Sequence, residues 1–310
     1  MKPAVLLVGS LPGPALDRLE REFSLHRLSQ AADRQVLLAE LAPHCEAIAA
    51  GGAVPASLMQ ALPKLKVVAN FGVGYDSVDV AHATQRGIKV TNTPGVLNDD
   101  VADLAVALLL AVRRRLVAAD RYVRQGGWLK ANYPLCEKLS GSKVGILGLG
   151  RIGKTLARRL AAFDCELHYH GRQEQAGQAF RYHADLVAMA REVDNLVAIL
   201  PGGAATKGIV SRAVLEALGP KGVFVNVGRG SAVDEAAMVE LLVSGKLGGA
   251  GLDVFVDEPR VPEQLFALDN VVLQPHQGSA TAATRAAMGY LVVDNLDAHF
   301  AGRPLLTPVN

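Results

Sequence analysis

The sequence predicts an α/β protein made of two doubly wound parallel-sheet domains, and three observations carry that prediction. Short apolar runs alternate with helix-spaced segments along the chain, as parallel sheets flanked by helices require. The 310 residues suit two domains of ordinary size, each with its own core. Near the middle, the stretch Lys143–Gly153 joins an apolar run to a glycine-rich turn and then to a new helix, restarting the pattern. Half of the residues are apolar and a fifth are charged, the balance of a compact soluble globule.

The first hundred residues alternate regularly. Ala4–Val8 reads as a strand, Pro14–Phe23 as a helix, Leu25–Leu28 as a short strand and Arg34–Ala42 as a helix. Ala47–Ala50 is a strand running into Gly51-Gly52. A short helix over Ala56–Leu62 leads to the strands Lys66–Asn70 and Ile88–Thr91. Phe71-Gly72-Val73-Gly74-Tyr75-Asp76 follows a strand end, where ligands bind in open parallel sheets. A plain turn and a carboxylate-holding loop both fit that segment, and both fit Gly51-Gly52.

Thr93–Leu97 is irregular and reads as a hinge. Beyond it, Asn98 or Asp99 can cap a long helix. The apolar run Val101–Val117 is interrupted by Asp103 and Arg113–Arg115, so it reads as a buried helix and not a membrane span. Gln125–Ser140 has little periodicity and reads as a loop or arm. Its Trp128 fits either a core position or an interface or pocket.

The central stretch carries the sharpest signal. Val144, Ile146 and Leu147 suit a buried parallel strand, and Leu156, Leu160 and Phe163 follow at helical spacing. Between them, Gly148-Leu149-Gly150-Arg151-Ile152-Gly153 has the spacing G-x-G-x-x-G. Gly148 permits the tight turn, Gly150 lets backbone approach a pyrophosphate, and Gly153 lets helix and strand pack closely. The helix then points free N–H groups and its positive dipole end at the phosphates. In this strand–turn–helix context the motif predicts a dinucleotide site.

Further strands are expected at Glu166–His170, Asp194–Leu200, Val223–Val227, Gly249–Val254 and Val271–Leu273. Their ends bring Arg172, Arg229, Asp253 and His276 to one edge of the sheet. A helix from Thr281 towards Phe300 closes the chain. The boundaries expected are 1–98 plus 283–310 for one domain and 99–282 for the dinucleotide domain.

Other functions are disfavoured. The formal net charge is +2, from 32 basic against 30 acidic residues with no long basic run, so nucleic acid and membrane surfaces have no electrostatic footprint. Cys45, Cys136 and Cys165 form no C-x-x-C and read as reduced thiols of a cytoplasmic protein. The N-terminal run Val5–Val8 is too short for a signal peptide. His168, His170 and His183 are scattered and lack a carboxylate cluster, so no metal site is expected. No G-x-S-x-G occurs to suggest a serine hydrolase.

Taken in order, Phe71–Asp76, Gly148–Gly153, Asn226-Val227-Gly228-Arg229-Gly230, Gly251–Phe255 with Glu258-Pro259, and Pro275-His276 with Gly278-Ser279 resemble the D-2-hydroxyacid dehydrogenase family. Within it, the chain is most similar to the glyoxylate/hydroxypyruvate reductase branch, and the resemblance covers essentially the whole chain. It implies a flavodoxin-like substrate domain and a Rossmann dinucleotide-binding domain. The activity implied is reduction of a small 2-keto acid, such as glyoxylate, hydroxypyruvate or 2-ketogluconate, to the D-2-hydroxy acid. Arg229 matches the family's arginine, suited to hold a carboxylate and polarise a ketone. His276 matches the acid/base histidine, and Glu258 the carboxylate that orients it and favours its cationic form. Gly52, Val73 and Gly74, with Arg229 and His276, are the implied substrate contacts. The cofactor contacts are Gly148, Gly150, Arg151, Ile152, Gly153, Arg172, Leu200, Pro201, Thr206, Val227, Gly228, Asp253 and Gly278. Asp253, Val227 and Gly228 would meet the nicotinamide carboxamide, and Thr206 the ribose or phosphates. A homodimer through the dinucleotide domain is implied as well. The competing classes are a dinucleotide-responsive binding protein of corepressor type and an NAD-dependent phosphoglycerate-type dehydrogenase.

The cofactor preference can be read from the residues. NAD-preferring sites end their second strand with an acid that binds the adenosine ribose hydroxyls. Here the neighbourhood is His168-Tyr169-His170-Gly171-Arg172-Gln173, without that acid. Its absence removes repulsion towards a 2′-phosphate, and Arg172 offers a bidentate partner, though a merely solvated arginine also fits. NADPH is therefore expected, with NADH weaker.

Overall fold

A strand covered on both faces must be apolar at every position, and Val5, Leu6 and Leu7 are all at most 2% exposed. They form the centre of β1 (Ala4–Gly9) in a computed structural model that describes residues 2–310. The chain divides into two compact units, Met1–Leu97 with Thr281–Asn310, and Asn98–Ala280.

In the first unit, β1 is followed by α1 (Gly13–Glu22), β2 (Ser24–Arg27), α2 (Arg34–Leu41), β3 (Ala47–Gly51), α3 (Ala56–Gln60), β4 (Val67–Asn70), α4 (Val80–Gln85) and β5 (Lys89–Thr91). The strands are parallel, in the order β2-β1-β3-β4-β5. This is the flavodoxin-like order, with its switch point between β1 and β3. Alternate residues face opposite layers. Leu6 and Val8 join Ile48, Val68, Leu41 and Leu62 on one side. Val5 and Leu7 join Ala47, Ala49, Leu19 and Leu296 on the other. The six-residue helix α4 has no apolar stripe long enough to announce it in the sequence. Asp79 caps it by accepting from His82 N at 2.9 Å.

The second unit contains α5 (Asn98–Arg113), α6 (Leu116–Arg124), β6 (Lys143–Leu147), α7 (Arg151–Ala161), β7 (Glu166–His170), β8 (Arg181–His183), α8 (Leu186–Glu192), β9 (Asn195–Ala198), α9 (Arg212–Leu218), β10 (Val223–Asn226), α10 (Glu235–Val243), β11 (Gly249–Leu252) and β12 (Val271–Leu273). Its seven parallel strands run β12-β11-β10-β9-β6-β7-β8. The strand order reverses between β6 and β9, so the carboxyl end of β6 is the topological switch point of a Rossmann sheet. The last helix, α11 (Ala282–Phe300), returns to the first unit, capped by Thr281. A Cβ on Gly289 would come within 2.5 Å of Ala15, so glycine lets α11 lie close against α1.

Three expectations are corrected here. Asn98 and Asp99 lie inside the first turn of α5, where Asp99 and Asp100 place negative charge at the positive dipole end. The apolar run beyond Val101 is two helices, broken where Arg115 turns left-handed at φ 49° and ψ 40°. Leu116 and Val117 are each 52% exposed, so the buried stripe stops at α5. The core alternative for Trp128 fails, because its side chain is 67% exposed in an arm whose regular structure is one 3₁₀ turn, Gly127–Leu129. At the end of α5, Arg113 is buried and joins the helix to the sheet. Its Nε donates to Asn195 Oδ1 at 2.7 Å and its Nη2 to the Asp194 carbonyl at 2.8 Å.

Candidate active site

The glycine loop at the switch point performs three separate steric tasks. Gly148 has φ +101°, and a Cβ there would sit 2.8 Å from the Ile199 carbonyl oxygen. A Cβ on Gly153 would sit 2.3 Å from the Gly148 carbonyl oxygen, so only glycine lets α7 start this close to β6. At Gly150 a Cβ would meet nothing within 4 Å, which leaves open space over the backbone. Gly150 is also the N-cap of α7, with no side chain capping the helix and no acid in its first turn. Unpaired N–H groups, a positive dipole end and open space above a glycine together make a cradle suited to a pyrophosphate. Arg151 is exposed and Ile152 half-buried at that end.

Strand β7 ends in His170, with no acid there, and Arg172 follows as an exposed side chain. Gln175 ties this segment to the glycine loop, donating from Nε2 to the Leu149 carbonyl at 2.9 Å. Beyond β9, Leu200 is half-buried and Pro201 exposed. The Thr206 hydroxyl spends its proton on the Pro201 carbonyl at 2.7 Å, so towards any ligand it is left as an acceptor.

The ends of β10, β11 and β12 are braced to one another. Asn226, 1% exposed, donates from Nδ2 to the Arg229 carbonyl at 3.0 Å and accepts from Gly228 N at 3.0 Å. The Val227 N–H donates to the Ala198 carbonyl, and Arg229 Nη1 donates to the Gly228 carbonyl at 2.8 Å. Backbone offered by Val227 and Gly228 to a ligand is therefore acceptor, not donor. Asp253 N donates to the Asn226 carbonyl at 3.0 Å, and His276 N to the Asp253 carbonyl at 2.9 Å.

The Asp253 carboxylate is buried and accepts from Gln277 N at 2.5 Å and Gly278 N at 2.8 Å. Burial pushes its pKa up, opposed by those two backbone bonds. What the geometry shows for this residue is support of the loop that carries His276. A Cβ on Gly278 would lie 3.0 Å from Asp253 Oδ2, a tight contact that the carboxylate would have to relieve by a small shift.

His276 itself takes φ 55°, left-handed backbone that few side chains adopt. Its Nδ1 is 2.7 Å from Glu258 Oε2, while Glu258 Oε1 accepts from Phe255 N at 3.0 Å. The carboxylate is thus fixed by a backbone donor and fixes the ring in turn. A carboxylate only accepts, so Nδ1 carries a proton and Nε2 is the nitrogen free to exchange one with a reactant.

In the first unit, the loop after β4 is shaped by two asparagine side chains that lie outside the Phe71–Asp76 motif. Asn70, 4% exposed, donates to the carbonyls of Gly72 at 3.2 Å and Gly74 at 3.0 Å. Asn92 donates to the Val73 carbonyl at 2.9 Å. Of the Gly51-Gly52 pair, Gly51 is the sterically obligatory one: its Cβ would fall 2.0 Å from the Ser10 carbonyl oxygen, against 3.4 Å for the nearest atom to Gly52. A signal was available for Asn70, because Asn70-Phe-Gly-Val-Gly74 and Asn226-Val-Gly-Arg-Gly230 are the same N-x-G-x-G pattern at two strand ends.

The expectation of no metal-ligand cluster needs correction. Parallel pairing of β7 with β8 brings His168 and His183 together, with Nδ1 of His168 2.8 Å from Nε2 of His183, and Glu192 beside them. Scatter along the chain concealed proximity across the ladder.

Comparison with known proteins agrees with this geometry. Residues 106–278 match the family model "D-isomer specific 2-hydroxyacid dehydrogenase, NAD binding domain". The chain is 49% identical over 293 residues to a hydroxyphenylpyruvate reductase of Plectranthus scutellarioides, covering 94% of each protein. It is 46% identical over 307 residues to a glyoxylate/hydroxypyruvate reductase of Arabidopsis thaliana, covering 98% of each. The crystal structure of an NADPH-dependent glyoxylate/hydroxypyruvate reductase from Sinorhizobium meliloti, in complex with NADP and malonate, superposes with a TM-score of 0.94 at 50% identity. That match covers 100% of this chain and 97% of the other. With an uncapped glycine cradle at the switch point and a histidine–carboxylate couple at the same edge of the sheet, the chain belongs to the D-2-hydroxyacid dehydrogenase family, in its glyoxylate/hydroxypyruvate reductase branch, and is an NAD(P)-dependent enzyme.

Proposed function

We propose that this enzyme reduces small 2-keto acids, glyoxylate and hydroxypyruvate among them, to D-2-hydroxy acids with NADPH in preference to NADH. The Glu258–His276 couple carries the reading: a proton donor with its second nitrogen fixed by a carboxylate is what a keto oxygen needs as it becomes a hydroxyl. The cofactor, when bound, supplies the hydride. His276 then gives the proton from Nε2, and Glu258 keeps the resulting ring in the Nδ1–H tautomer. Arg229, whose backbone is held by Asn226, receives the substrate carboxylate and polarises the ketone. Val73 and Gly74 offer backbone N–H groups suited to a carboxylate, and Gly52 is a further substrate contact of the first unit. We assign the first unit as the substrate domain and the second as the dinucleotide-binding domain, which also carries Arg229 and His276.

On the cofactor side, the Gly148–Gly153 cradle takes the pyrophosphate. Arg172 takes the adenosine 2′-phosphate, supported by its exposure and by the absence of an acid at the end of β7. Leu200, Pro201, Thr206 and the Val227 carbonyl line the remainder of the cofactor. A homodimer is part of the proposal, supported by the exposed apolar arm of Trp128, Leu129 and Leu135. Light scattering at the mass of one chain would overturn it.

The test follows absorbance loss of NADPH and NADH with glyoxylate, hydroxypyruvate, 2-ketogluconate and hydroxyphenylpyruvate. Turnover favouring NADPH is expected, and Arg172→Ala should raise the NADPH KM roughly 10-fold or more through loss of a charge-assisted pair while leaving that for NADH nearly unchanged. Equal changes for both cofactors would refute the role of Arg172. No turnover on any of these acids, with cofactor binding intact, would refute the activity.

A further inference from the structure

At the edge of the second sheet, away from the glycine cradle and the Glu258–His276 couple in the chain, two imidazoles and two carboxylates have been drawn together. His168 is fully buried on β7 and His183 is 8% exposed on β8. Their rings lie 26° from parallel, with Nδ1 of His168 2.8 Å from Nε2 of His183. A carboxylate oxygen of Glu192, at the end of α8, lies within 4.8 Å of a ring nitrogen of each histidine. On the far side of His168, Nε2 is 2.9 Å from Glu166 Oε1.

Protonation logic singles out one pair of atoms. Glu166 can only accept, so in the neutral ring His168 Nε2 carries the proton and Nδ1 is a bare lone pair. That lone pair is met by His183 Nε2–H. A single proton therefore occupies the space between two imidazole nitrogens, and a divalent ion replaces it when His183 moves its proton to Nδ1. The Glu166–His168 bond is then the outer half of a carboxylate–histidine–metal arrangement, the usual means of fixing a ligand's tautomer and raising its basicity.

We propose that His168 Nδ1, His183 Nε2 and the Glu192 carboxylate form a binding site for a divalent transition metal of the zinc class. Two imidazoles and one carboxylate are a borderline donor set that suits zinc and not calcium or magnesium. At zinc–nitrogen distances of about 2.0–2.1 Å, tetrahedral ligands stand about 3.3 Å apart. The two nitrogens therefore need to part by about half an ångström, a rotation of the more accessible His183 ring. Glu192 is 38% exposed, which gives the ion a route in and leaves a fourth position to water. Arg181 works against the site, since its Nη1 holds Glu192 Oε2 at 2.7 Å and its Nη2 donates to Glu192 Oε1 at 3.4 Å, so it must yield or share an oxygen. Bound metal would fasten the three-residue edge strand β8 to β7.

Zinc chloride titrated into the full-length protein by calorimetry tests the site, with cobalt(II) as an absorption probe of coordination. One ion per chain is expected, with a tetrahedral cobalt spectrum free of thiolate charge-transfer bands. His183→Gln and Glu192→Gln should each abolish stoichiometric binding. Glu166→Gln should weaken it roughly 10- to 100-fold as an outer-shell change, and Arg181→Ala should strengthen it. Should His183→Gln fail to fold by circular dichroism, the surface variants Glu192→Gln and Arg181→Ala decide by moving affinity in opposite directions. Absence of saturable zinc binding, or one-to-one binding unaffected by Glu192→Gln, would overturn the proposal.

Discussion

Replacing Glu258 by glutamine changes one atom and tests the acid/base reading more sharply than removing His276. In the native site both carboxylate oxygens accept, Oε1 from Phe255 N at 3.0 Å and Oε2 from His276 Nδ1 at 2.7 Å. An amide has only one acceptor oxygen. The Phe255 N–H is backbone and cannot turn away, so the amide oxygen must stay with it and the NH₂ must face His276. Nδ1 is then forced to accept, and the proton moves to Nε2 of a neutral ring. Donation from that ring would leave an imidazolate, so general-acid catalysis is lost.

The magnitude has two parts. At 2.7 Å, unit charges attract by about 1.5 kcal/mol in water's dielectric. With side-chain exposures of 46% and 35%, solvent screening keeps the ion-pair part near that low end, about a factor of 10 in rate. The wrong tautomer costs more, because positioned acid catalysis contributes roughly 10²–10⁴-fold. Glu258→Gln should therefore lower kcat by roughly 10²–10⁴-fold, with the NADPH dissociation constant by fluorescence titration unchanged within about threefold. Glu258→Asp keeps two acceptors on a shorter arm and should lose less. A glutamine variant with kcat within threefold of wild type would refute the tautomer argument and with it the role of His276.

Three further outcomes follow from other parts of the structure. Gly153→Ala puts a methyl 2.3 Å from the Gly148 carbonyl oxygen, so α7 and β6 must separate; a loss of about 1–3 kcal/mol in urea unfolding is expected, with weakened NADPH binding, and an unperturbed variant would contradict the close-packing role. Arg113→Ala removes two hydrogen bonds from a buried guanidinium and leaves Asn195 Oδ1 short of a donor, while the Asp194 carbonyl keeps the Val223 N–H; the expected cost is about 1–3 kcal/mol by urea titration, and a change below about 0.5 kcal/mol would place the α5–β9 junction's stability elsewhere. Burial holds His299 below the ordinary imidazole value, opposed by Glu46 and assisted by Lys66, so its contribution to stability is present above the unfolded pKa near 6.5 and is lost as pH falls through the folded value. The drop in Tm between pH 7.5 and pH 5.5 should thus be smaller in His299→Gln than in wild type, and an equal or larger drop would contradict that sign.

The parts of this molecule legible in the sequence are those encoded locally. β6, the glycine loop and α7 could be placed because an apolar run, three glycines and a helical stripe occur within twenty residues of one another. β7 and β12 were readable at the residue level for the same reason. The strand β8 was not, because Arg181-Tyr182-His183 has no apolar run; what holds it is pairing with β7 and the packing of Tyr182 against Tyr169 at 5.3 Å. The arginines at 113–115 mark an interruption of the apolar run, but not that the helix ends there, because the cause is a left-handed backbone angle at Arg115 and not a glycine or proline. Site residues named by motif fell on strand ends as the alternation required. Their hydrogen-bond economy was invisible, since whether the Gly228 N–H is available depends on Asn226, and whether Asp253 faces a ligand depends on two amides more than twenty residues downstream.

The repeated N-x-G-x-G pattern shows how one device yields opposite polarities. At each strand end a buried asparagine reaches forward to satisfy loop carbonyls that would otherwise be costly to leave without a donor. In the Asn70 loop, Asn70, Asn92 and the Thr93 N–H between them engage the carbonyls of Gly72, Val73 and Gly74. The N–H groups of Val73 and Gly74 have no partner among the described residues, so the loop is a donor surface and supports the proposed reception of a carboxylate. In the Asn226 loop the asparagine oxygen takes the Gly228 N–H, and Ala198 takes that of Val227. What this backbone has left to offer is a carbonyl oxygen, an acceptor that suits the amino group of a carboxamide. Which end of the peptide the asparagine consumes decides which chemistry the loop can recognise, so the motif alone predicts a shaped loop and only the bonding around it predicts the ligand.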